Sequence, residues 1–341
     1  MSNAPSIIDL AKDFATEAQC LDYLEAARWP NGIRCVICGG ERISKFVTNE
    51  TTRVRVNRKG KEVTVRVPSR RLYTCLDSKC GFQFSATAGT LFHDSHLPLS
   101  KWFMAVALIC NAKKGLSAKQ MQRDVGVNYR TAWYLNHRIR EAMQGNAPKL
   151  FSGTVEVDAT FIGGKYNPRL KRQRYDKQAV AGVLQRPIGD APSKIRAILI
   201  RREIGPVMQG VIRENVALEA TIMTDEHAAY KRVARTHRHE IVAHTKGEYV
   251  RGGVHTQGIE SFWSLFKRGV IGSFHQVSIK HLHRYLNEFS FRFNGRAERN
   301  LFGLVIANLL IGAALQYKAL TGRPQTEVSV SDVPRDFDAP F

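Results

Sequence analysis

The chain has 341 residues, and a hydrophobic content of 43% is enough for a sizeable core in two or three domains. A net charge of +21 would strain a compact fold without a polyanionic partner, so we expect nucleic acid, with a membrane surface as the weaker alternative. Six cysteines at this length exclude a disulfide scaffold, and no signal peptide is visible, so we expect a cytoplasmic protein with reduced thiols.

Helical periodicity opens the chain and ends at a Trp-Pro-Asn-Gly run, which assigns residues 1–34 to an N-terminal helical segment. Two cysteine pairs follow, a C-x₂-C and a C-x₄-C, each followed by glycine: Cys35, Cys38, Cys75 and Cys80. Four thiolates at such spacings can close a structural Zn²⁺ site, so we predict a zinc ribbon over residues 35–100. Two unrelated turns with buried thiols are the alternative, and the longer second pair is the weaker half of the motif.

A basic insert lies between the cysteine pairs. Residues 52–56 and 63–67 alternate in polarity around a turn at 57–60, which predicts a hairpin with a valine face and an arginine/threonine face. Its basic residues are candidates for DNA phosphate contacts: Arg53, Arg55, Arg58 and Lys59. A solvated edge hairpin explains the same pattern equally well.

Residues 101–148 are predicted to contain a helix-turn-helix, with Gly126 in the turn and Asn128 capping the second helix. Four apolar residues form the expected buried stripe of that helix: Ala132, Leu135, Ile139 and Met143. Three further residues would then be free to face DNA: Arg130, Thr131 and Tyr134. An ordinary helical hairpin shares this pattern.

From residue 149 the pattern changes to short strands followed by helices, so we assign 149–320 to an α/β catalytic domain and 321–341 to a C-terminal tail. A basic loop at 165–177 separates the first two strands. Its functional interpretation is a DNA-backbone clamp that includes Lys171, Arg172 and Arg174, and its alternative is a disordered solvated loop.

Acidic residues close two of these strands, since Asp158 ends TVEVD and Asp225 ends ATIMTD. Glu260 and Lys267 lie about two turns apart on the polar face of an amphipathic helix over 258–270. Three carboxylates on such elements are the ligands that Mg²⁺ or Mn²⁺ needs for phosphoryl transfer. The alternatives are strand-end caps and a surface ion pair.

Four segments together resemble one family of bacterial insertion-sequence transposases: WPNGIRCVICGG, GLSAKQMQRDVGVNYRTAWYLNHRIREAM, VEVDATFIGG and HTQGIESFWSLFKRG. The family joins an N-terminal zinc ribbon to a DDE catalytic domain of the ribonuclease H-like fold. The resemblance implies that Asp158, Asp225 and Glu260 are the catalytic acids and that Lys267 is the basic residue after them. It also implies that the four cysteines bind structural Zn²⁺.

Three departures from the family pattern stand out. Ala159 follows the first aspartate, where an acid is frequent, and Gln257 replaces a common asparagine. The second cysteine pair is longer than usual.

The resemblance implies a DNA transposase that binds the terminal inverted repeats of its element, cleaves the strands and joins them to target DNA, working as a homo-oligomer on paired ends. A DNA-binding regulator with an inactive nuclease fold and a hydrolytic nuclease without joining activity are the alternatives.

Overall fold

The structure is a computed structural model that describes residues 5–56, 60–163 and 177–322. Two helices come first: α1 (Ile7–Asp13) and α2 (Glu17–Arg28). Both begin at a capping box, in which Ser6 and Thr16 accept a hydrogen bond from the backbone N–H three residues later. The predicted helical periodicity is confirmed as two helices, because Thr16 starts the second one.

A small antiparallel sheet follows α2. It consists of three strands in the order β1-β4-β5, namely β1 (Ile43–Val47), β4 (Arg71–Cys75) and β5 (Gln83–Phe84). Tyr73 and Phe84 are buried in its small core and pack edge-on against Trp29 at the end of α2. This core holds the first and third cysteines of the motif beneath the strand ends.

The basic hairpin forms between β1 and β4 from β2 (Thr51–Val56) and β3 (Glu62–Val67). Its predicted faces are wrong. Arg53 pairs with Val65 and Arg55 with Val63, and directly opposed residues of an antiparallel pair share a face. The valines of the two strands therefore lie on opposite faces, because the alternation within each strand does not specify the register between them.

The next helices share one apolar core with α1 and α2: α3 (Leu99–Asn111), α4 (Ala118–Val125), α5 (Tyr129–Ala142) and α9 (Leu301–Ile311). Gly126 ends α4 in the left-handed conformation at φ 63°, and the Asn128 side chain accepts a hydrogen bond from Thr131 N–H to cap α5. The four residues of the predicted stripe are all buried. The predicted helix–turn–helix geometry is therefore present, and α9 closes the core from the far end of the chain. A short helix, α10 (Tyr317–Thr321), follows it.

A five-stranded sheet forms the second layer, in the order β10-β9-β6-β7-β8. Its strands are β6 (Thr154–Ile162), β7 (Gln178–Gln185), β8 (Lys194–Ile200), β9 (Thr221–Asp225) and β10 (Arg238–Val242). The first three strands are antiparallel, whereas β9 runs parallel to both β6 and β10. The predicted α/β class is confirmed.

Helices cover both faces of this sheet: α6 (Gly205–Asn215), α7 (Gln257–Gly269) and α8 (Ile279–Asn294). Alternate residues of β6 and β7 point to opposite sides, so Val155 and Val157 pack in the core under α6, while Val180 and Leu184 pack under α7 and α8. The acids at even positions of β6 therefore face α7. Within the described ranges, every helix is too short or too polar to cross a membrane.

Candidate active site

Asp158 and Asp225 lie where the two central strands separate. The last pair between β6 and β9 is Glu156 with Met223, and each aspartate is two residues further along its strand. Asp225 ends β9 as predicted, but the prediction that Asp158 closes its strand is wrong, because β6 continues to Ile162 in its pairing with β7. The crevice where parallel strands diverge is the usual place for ligands in open α/β sheets. Glu260 lies in the first turn of α7, which packs on the same face of the sheet.

The predicted acids act on one another electrostatically. Burial raises the pKa of Asp158, and the negative charges of Asp225, Glu203 and Glu260 raise it further, to about 7. A bound cation would stabilise the charged form of this half-buried carboxylate, because it would offset both the burial and the neighbouring negative charges. The structure thus brings together the three acids that the sequence singles out, and adds Glu203.

Hydrogen bonds orient the other two acids. The backbone N–H of His227 donates to Asp225 Oδ1 over 3.0 Å, and the Thr256 hydroxyl donates to Glu260 Oε1 over 2.7 Å. His244 Nε2 lies 3.7 Å from the same Glu260 oxygen. Because 45% of the Glu260 side chain is exposed, this acid is open to a ligand that approaches from solvent.

The donor chemistry of these acids fits hard divalent cations, which prefer carboxylate oxygens. Among the described residues, the four cysteines are the one set of metal-ligating atoms in which all lie within 4.8 Å of one another.

Glu203 was missed by the sequence interpretation. It lies in the short connection between β8 and α6, and its carboxylate Oε1 lies 3.3 Å from both the Tyr230 hydroxyl and His227 Nδ1. Burial is the main reason why its pKa is raised, and the charge of Asp225 contributes. No strand end, helix face or motif marks this residue in the sequence, because its neighbours come from β9 and the segment after it.

The helix α7 has the two faces that the sequence predicted. Ile259, Phe262 and Phe266 are buried, whereas Glu260 and Lys267 are exposed on the other side. Two turns of helix place the Lys267 ammonium on the same side as Glu260.

Near the small sheet, each cysteine of the first sequence pair faces one cysteine of the second pair. Cys35 Sγ lies 3.7 Å from Cys80 Sγ, and Cys38 Sγ lies 3.6 Å from Cys75 Sγ. Ligands about 2.3 Å from a tetrahedral Zn²⁺ are about 3.8 Å apart, so the cluster has the dimensions of a four-thiolate zinc site. Burial acts to raise the pKa of Cys35, but hydrogen bonds from the backbone N–H groups of Cys38 and Ile37 outweigh it and lower the pKa to about 7.

The longer spacing of the second cysteine pair is accommodated by a turn between Cys75 and Cys80. The carbonyl oxygen of Asp77 accepts hydrogen bonds from the N–H groups of Cys80 and Gly81, at 3.0 and 3.1 Å. The Asp77 side chain also accepts from Lys79 N–H. Gly81, like Gly39 after the first pair, has a positive φ that other residues rarely adopt. The two additional residues are accommodated in this turn, so the thiols of both pairs meet in one cluster.

The candidate DNA-binding residues have different surroundings. Arg53 and Arg55 are exposed on β2, and five further candidates lie outside the described residues: Arg58, Lys59, Lys171, Arg172 and Arg174. The expectation that the α5 residues are free to face DNA is wrong for Tyr134. Its hydroxyl donates to the carbonyl oxygen of Leu315, and its ring packs on Tyr317.

The other two α5 candidates stay closer to the surface. The exposed Arg130 places its guanidinium over the Tyr317 ring, 4.2 Å from the centroid, and Thr131 is half-buried. The segment that covers this end of α5 comes from more than 180 residues later, so local helical periodicity does not reveal it.

Comparison with known proteins assigns the chain to a family. A family model described as the ISXO2-like transposase domain matches residues 150–294, and one described as the transposase zinc-ribbon domain matches residues 15–83. The chain therefore carries both domains of the zinc-ribbon DDE transposases, in that family's order. The resemblance predicted from its motifs is therefore confirmed, and the sheet of this transposase has the ribonuclease H-like fold.

A relative supports the same assignment. An uncharacterized protein in the transposable element ISH50 of Halobacterium salinarum is 27% identical over 297 residues, which are 82% of this chain and 92% of that protein. The zinc-ribbon match includes the four cysteines of the motif, and these form the cluster described above, which supports a structural zinc. The transposase-domain match spans the three acids and Lys267.

Proposed function

We propose that this transposase binds the terminal inverted repeats of its element, cleaves a strand at each end and transfers the 3′ end to target DNA. Asp158, Asp225 and Glu260 hold two Mg²⁺ or Mn²⁺ ions in this proposal. The observation that carries it is the environment of Asp158, a half-buried carboxylate whose pKa is raised by burial and by the negative charges of both other acids. The ions would supply the activation of an oxygen nucleophile and the stabilisation of the departing 3′ oxygen.

Residues around the acids have separate roles in this proposal. Thr256 orients Glu260 through its hydroxyl, and His227 orients Asp225 through its backbone N–H. Lys267 holds a DNA phosphate near the scissile bond as a point charge, since it is exposed on the same face of α7 as Glu260. These groups position the substrate and the acids before any bond is broken.

The DNA is bound over a wider surface in this proposal. Arg53 and Arg55 on the exposed hairpin contact phosphates. Five basic residues outside the described ranges contribute further contacts to the DNA backbone in this proposal: Arg58, Lys59, Lys171, Arg172 and Arg174. Arg130 and Thr131 at the start of α5 contribute from the helix-turn-helix, and the protein acts as a homo-oligomer that holds two ends together.

A strand-transfer assay tests the proposal. The purified transposase is incubated with Mg²⁺ and labelled DNA that carries the inverted repeat flanking its coding region. We expect nicked ends and joined products from the wild type, and neither from Asp158→Asn, Asp225→Asn or Glu260→Gln. Asp190→Asn is the matched control, since Asp190 is an exposed acid in the turn after β7. Each variant is also examined for end binding without metal.

The same assay separates the alternatives. End binding with no cleavage by the wild type would favour a regulator with an inactive nuclease fold. Nicking without joined products would favour a hydrolytic nuclease. A normal cleavage rate in any one of the three variants would show that this residue is not a metal ligand.

A further inference from the structure

A second acid on β6 faces α7. Glu156 lies two residues before Asp158 and therefore points to the same side of the sheet. Only 1% of its surface is exposed, and its carboxylate Oε2 accepts a hydrogen bond from the backbone N–H of Ile259 over 2.8 Å. Ile259 is in the first turn of α7, immediately before Glu260, where helix N–H groups have no partner within the helix and a negative charge is favourable.

Arg186 completes the link. Its Nε donates to Glu156 Oε1 over 2.7 Å, and its two terminal nitrogens donate to the carbonyl oxygens of Gly253 and His255 at 2.7 and 2.6 Å. One guanidinium thus connects the strand of Asp158 with the loop that leads into α7. A planar guanidinium can make these bonds together because its donors point in fixed directions.

Two glycines leave room for this contact. A Cβ at Gly258 would lie 2.9 Å from Glu156 Oε2, and a Cβ at Gly182 would lie 2.6 Å from the Trp263 ring. Gly182 is opposite Asp158 on β7, so α7 approaches the sheet closely at the level of the aspartate. The helix is held at both positions, by Glu156 near Ile259 and by the ring of Trp263 one turn later.

We propose that Glu156 and Arg186 are positioning residues that set where α7 begins relative to β6, and thereby hold Glu260 at the distance from Asp158 that metal binding requires. This inference rests on the proposed function. A simple stabilising ion pair would affect the unfolding temperature and leave metal affinity unchanged. A positioning pair affects metal affinity even when the fold is retained, because ligands must be held within a fraction of an ångström.

Arg186→Lys is the main test, since it retains the positive charge beside Glu156 but loses the donors to Gly253 and His255. Arg213→Lys, on the exposed side of α6, is the matched control. Two quantities are measured on the full chain: binding of Mn²⁺, from the loss of the free-ion electron paramagnetic resonance signal, and hydrogen exchange of the amides at the start of α7. Glu156→Gln and the thermal unfolding of every variant complete the set.

We expect Arg186→Lys and Glu156→Gln to bind Mn²⁺ about tenfold more weakly and to exchange the Ile259 amide faster, at a temperature at which both variants are folded. Their unfolding temperatures should also fall, because each change leaves a buried charge or carbonyl group without its partner. Arg213→Lys should match the wild type. If Asp158→Asn weakens Mn²⁺ binding but Arg186→Lys leaves both quantities unchanged, the positioning role is wrong and the proposed function stands. If Asp158→Asn also binds Mn²⁺ normally, the proposed function fails, and this inference fails with it.

Discussion

The indole N–H of Trp263 donates a hydrogen bond to Asp158 Oδ2 over 3.1 Å. Trp263 lies three residues after Glu260 on α7, so the helix that carries the third acid contacts the first acid directly. The tryptophan is buried and packs against Gly182, where a side chain would collide with its ring. The sheet and α7 therefore form one unit around the acids.

Trp263→Phe removes this hydrogen bond and retains an aromatic ring in the same space. A hydrogen bond to a charged group contributes about 1.5–3 kcal/mol, and its loss disfavours the charged form of Asp158. We expect slower cleavage at neutral pH, by roughly tenfold or more on that basis, with partial recovery at higher pH. The measurement is a pH profile of single-turnover cleavage.

The equivalent change far from the acids is the control for this prediction. Trp133→Phe alters a tryptophan of α5 that packs beside His137 and His281. Its pH profile should match the wild type. A Trp263→Phe profile that coincides with the wild type would show that the indole hydrogen bond does not affect Asp158.

The elements near the acids could be predicted from local patterns, whereas the contacts between them could not. The faces of α7 follow from a repeat of 3.6 residues, and the central strands follow from short apolar runs. In the sequence, Glu156 is one more acid in a predicted strand. Its partners Arg186 and Ile259 are 30 and 103 residues away, so no local pattern connects them. Glu203 belongs to the site only because separate elements meet there.

Local sequence patterns also did not reveal the register of the basic hairpin or the segment that covers the start of α5. The alternation of the basic hairpin was correct for each strand, but the pairing of Arg53 with Val65 places the valines on different faces. Tyr134 satisfies the pattern of an exposed helix position, yet Leu315 and Tyr317 cover it. Both errors concern which surfaces meet, and this information is distributed over distant parts of the chain.

The contribution of Asp158 to stability, without Mg²⁺ or Mn²⁺, should fall as pH rises from about 4 to about 7. Because the pKa of Asp158 is about 7 in the folded state, above the ordinary value, this residue binds more protons in the folded state than in the unfolded state over this range. The full effect of such a difference is on the order of 4 kcal/mol. Burial lowers the pKa values of His137 and His281 to about 2 and about 4, which acts in the opposite direction, so the Asp158 contribution is measured as the difference between wild type and Asp158→Asn in urea unfolding at several pH values.

Two variants should reduce this pH dependence for different reasons. Asp158→Asn removes the titrating group, so its stability relative to the wild type should rise between pH 4 and 7. Glu203→Gln removes a neighbouring negative charge, so the pKa of Asp158 should fall toward its usual value and the decline should become smaller. An unchanged slope in Asp158→Asn would assign the dependence to other groups.

Cys35→Ser should lose zinc and weaken end binding. The four sulfur atoms have the separations of a tetrahedral site, and three thiolates hold the metal much less tightly. Zinc content is measured by elemental analysis, and end binding by gel shift. Cys110→Ser is the control, because burial in the helical core raises the pKa of that thiol to about 12. Normal zinc content in Cys35→Ser would exclude Cys35 as a ligand.

The hairpin face that carries Arg53 and Arg55 should contribute to DNA affinity through charge alone. Arg53 and Arg55 share one face, whereas Arg66 lies on the other and pairs with Glu50 over 2.5 Å. Each phosphate contact that is lost lowers the slope of log affinity against log salt concentration by about one. Arg53→Ala and Arg55→Ala should each do so, for repeat and unrelated DNA alike, because phosphates carry no direct sequence information.

Arg66→Ala tests whether DNA contacts one specific face of the hairpin or is attracted only by the hairpin's net charge. It removes the same formal charge from the same hairpin, but from the opposite face and from a side chain that is already neutralised by Glu50. We expect its salt slope to remain near the wild-type value. Equal decreases of the salt slope in Arg53→Ala and Arg66→Ala would show that the hairpin attracts DNA through net charge and that its register has no part in binding. A decrease confined to Arg53→Ala and Arg55→Ala would identify the contacting face.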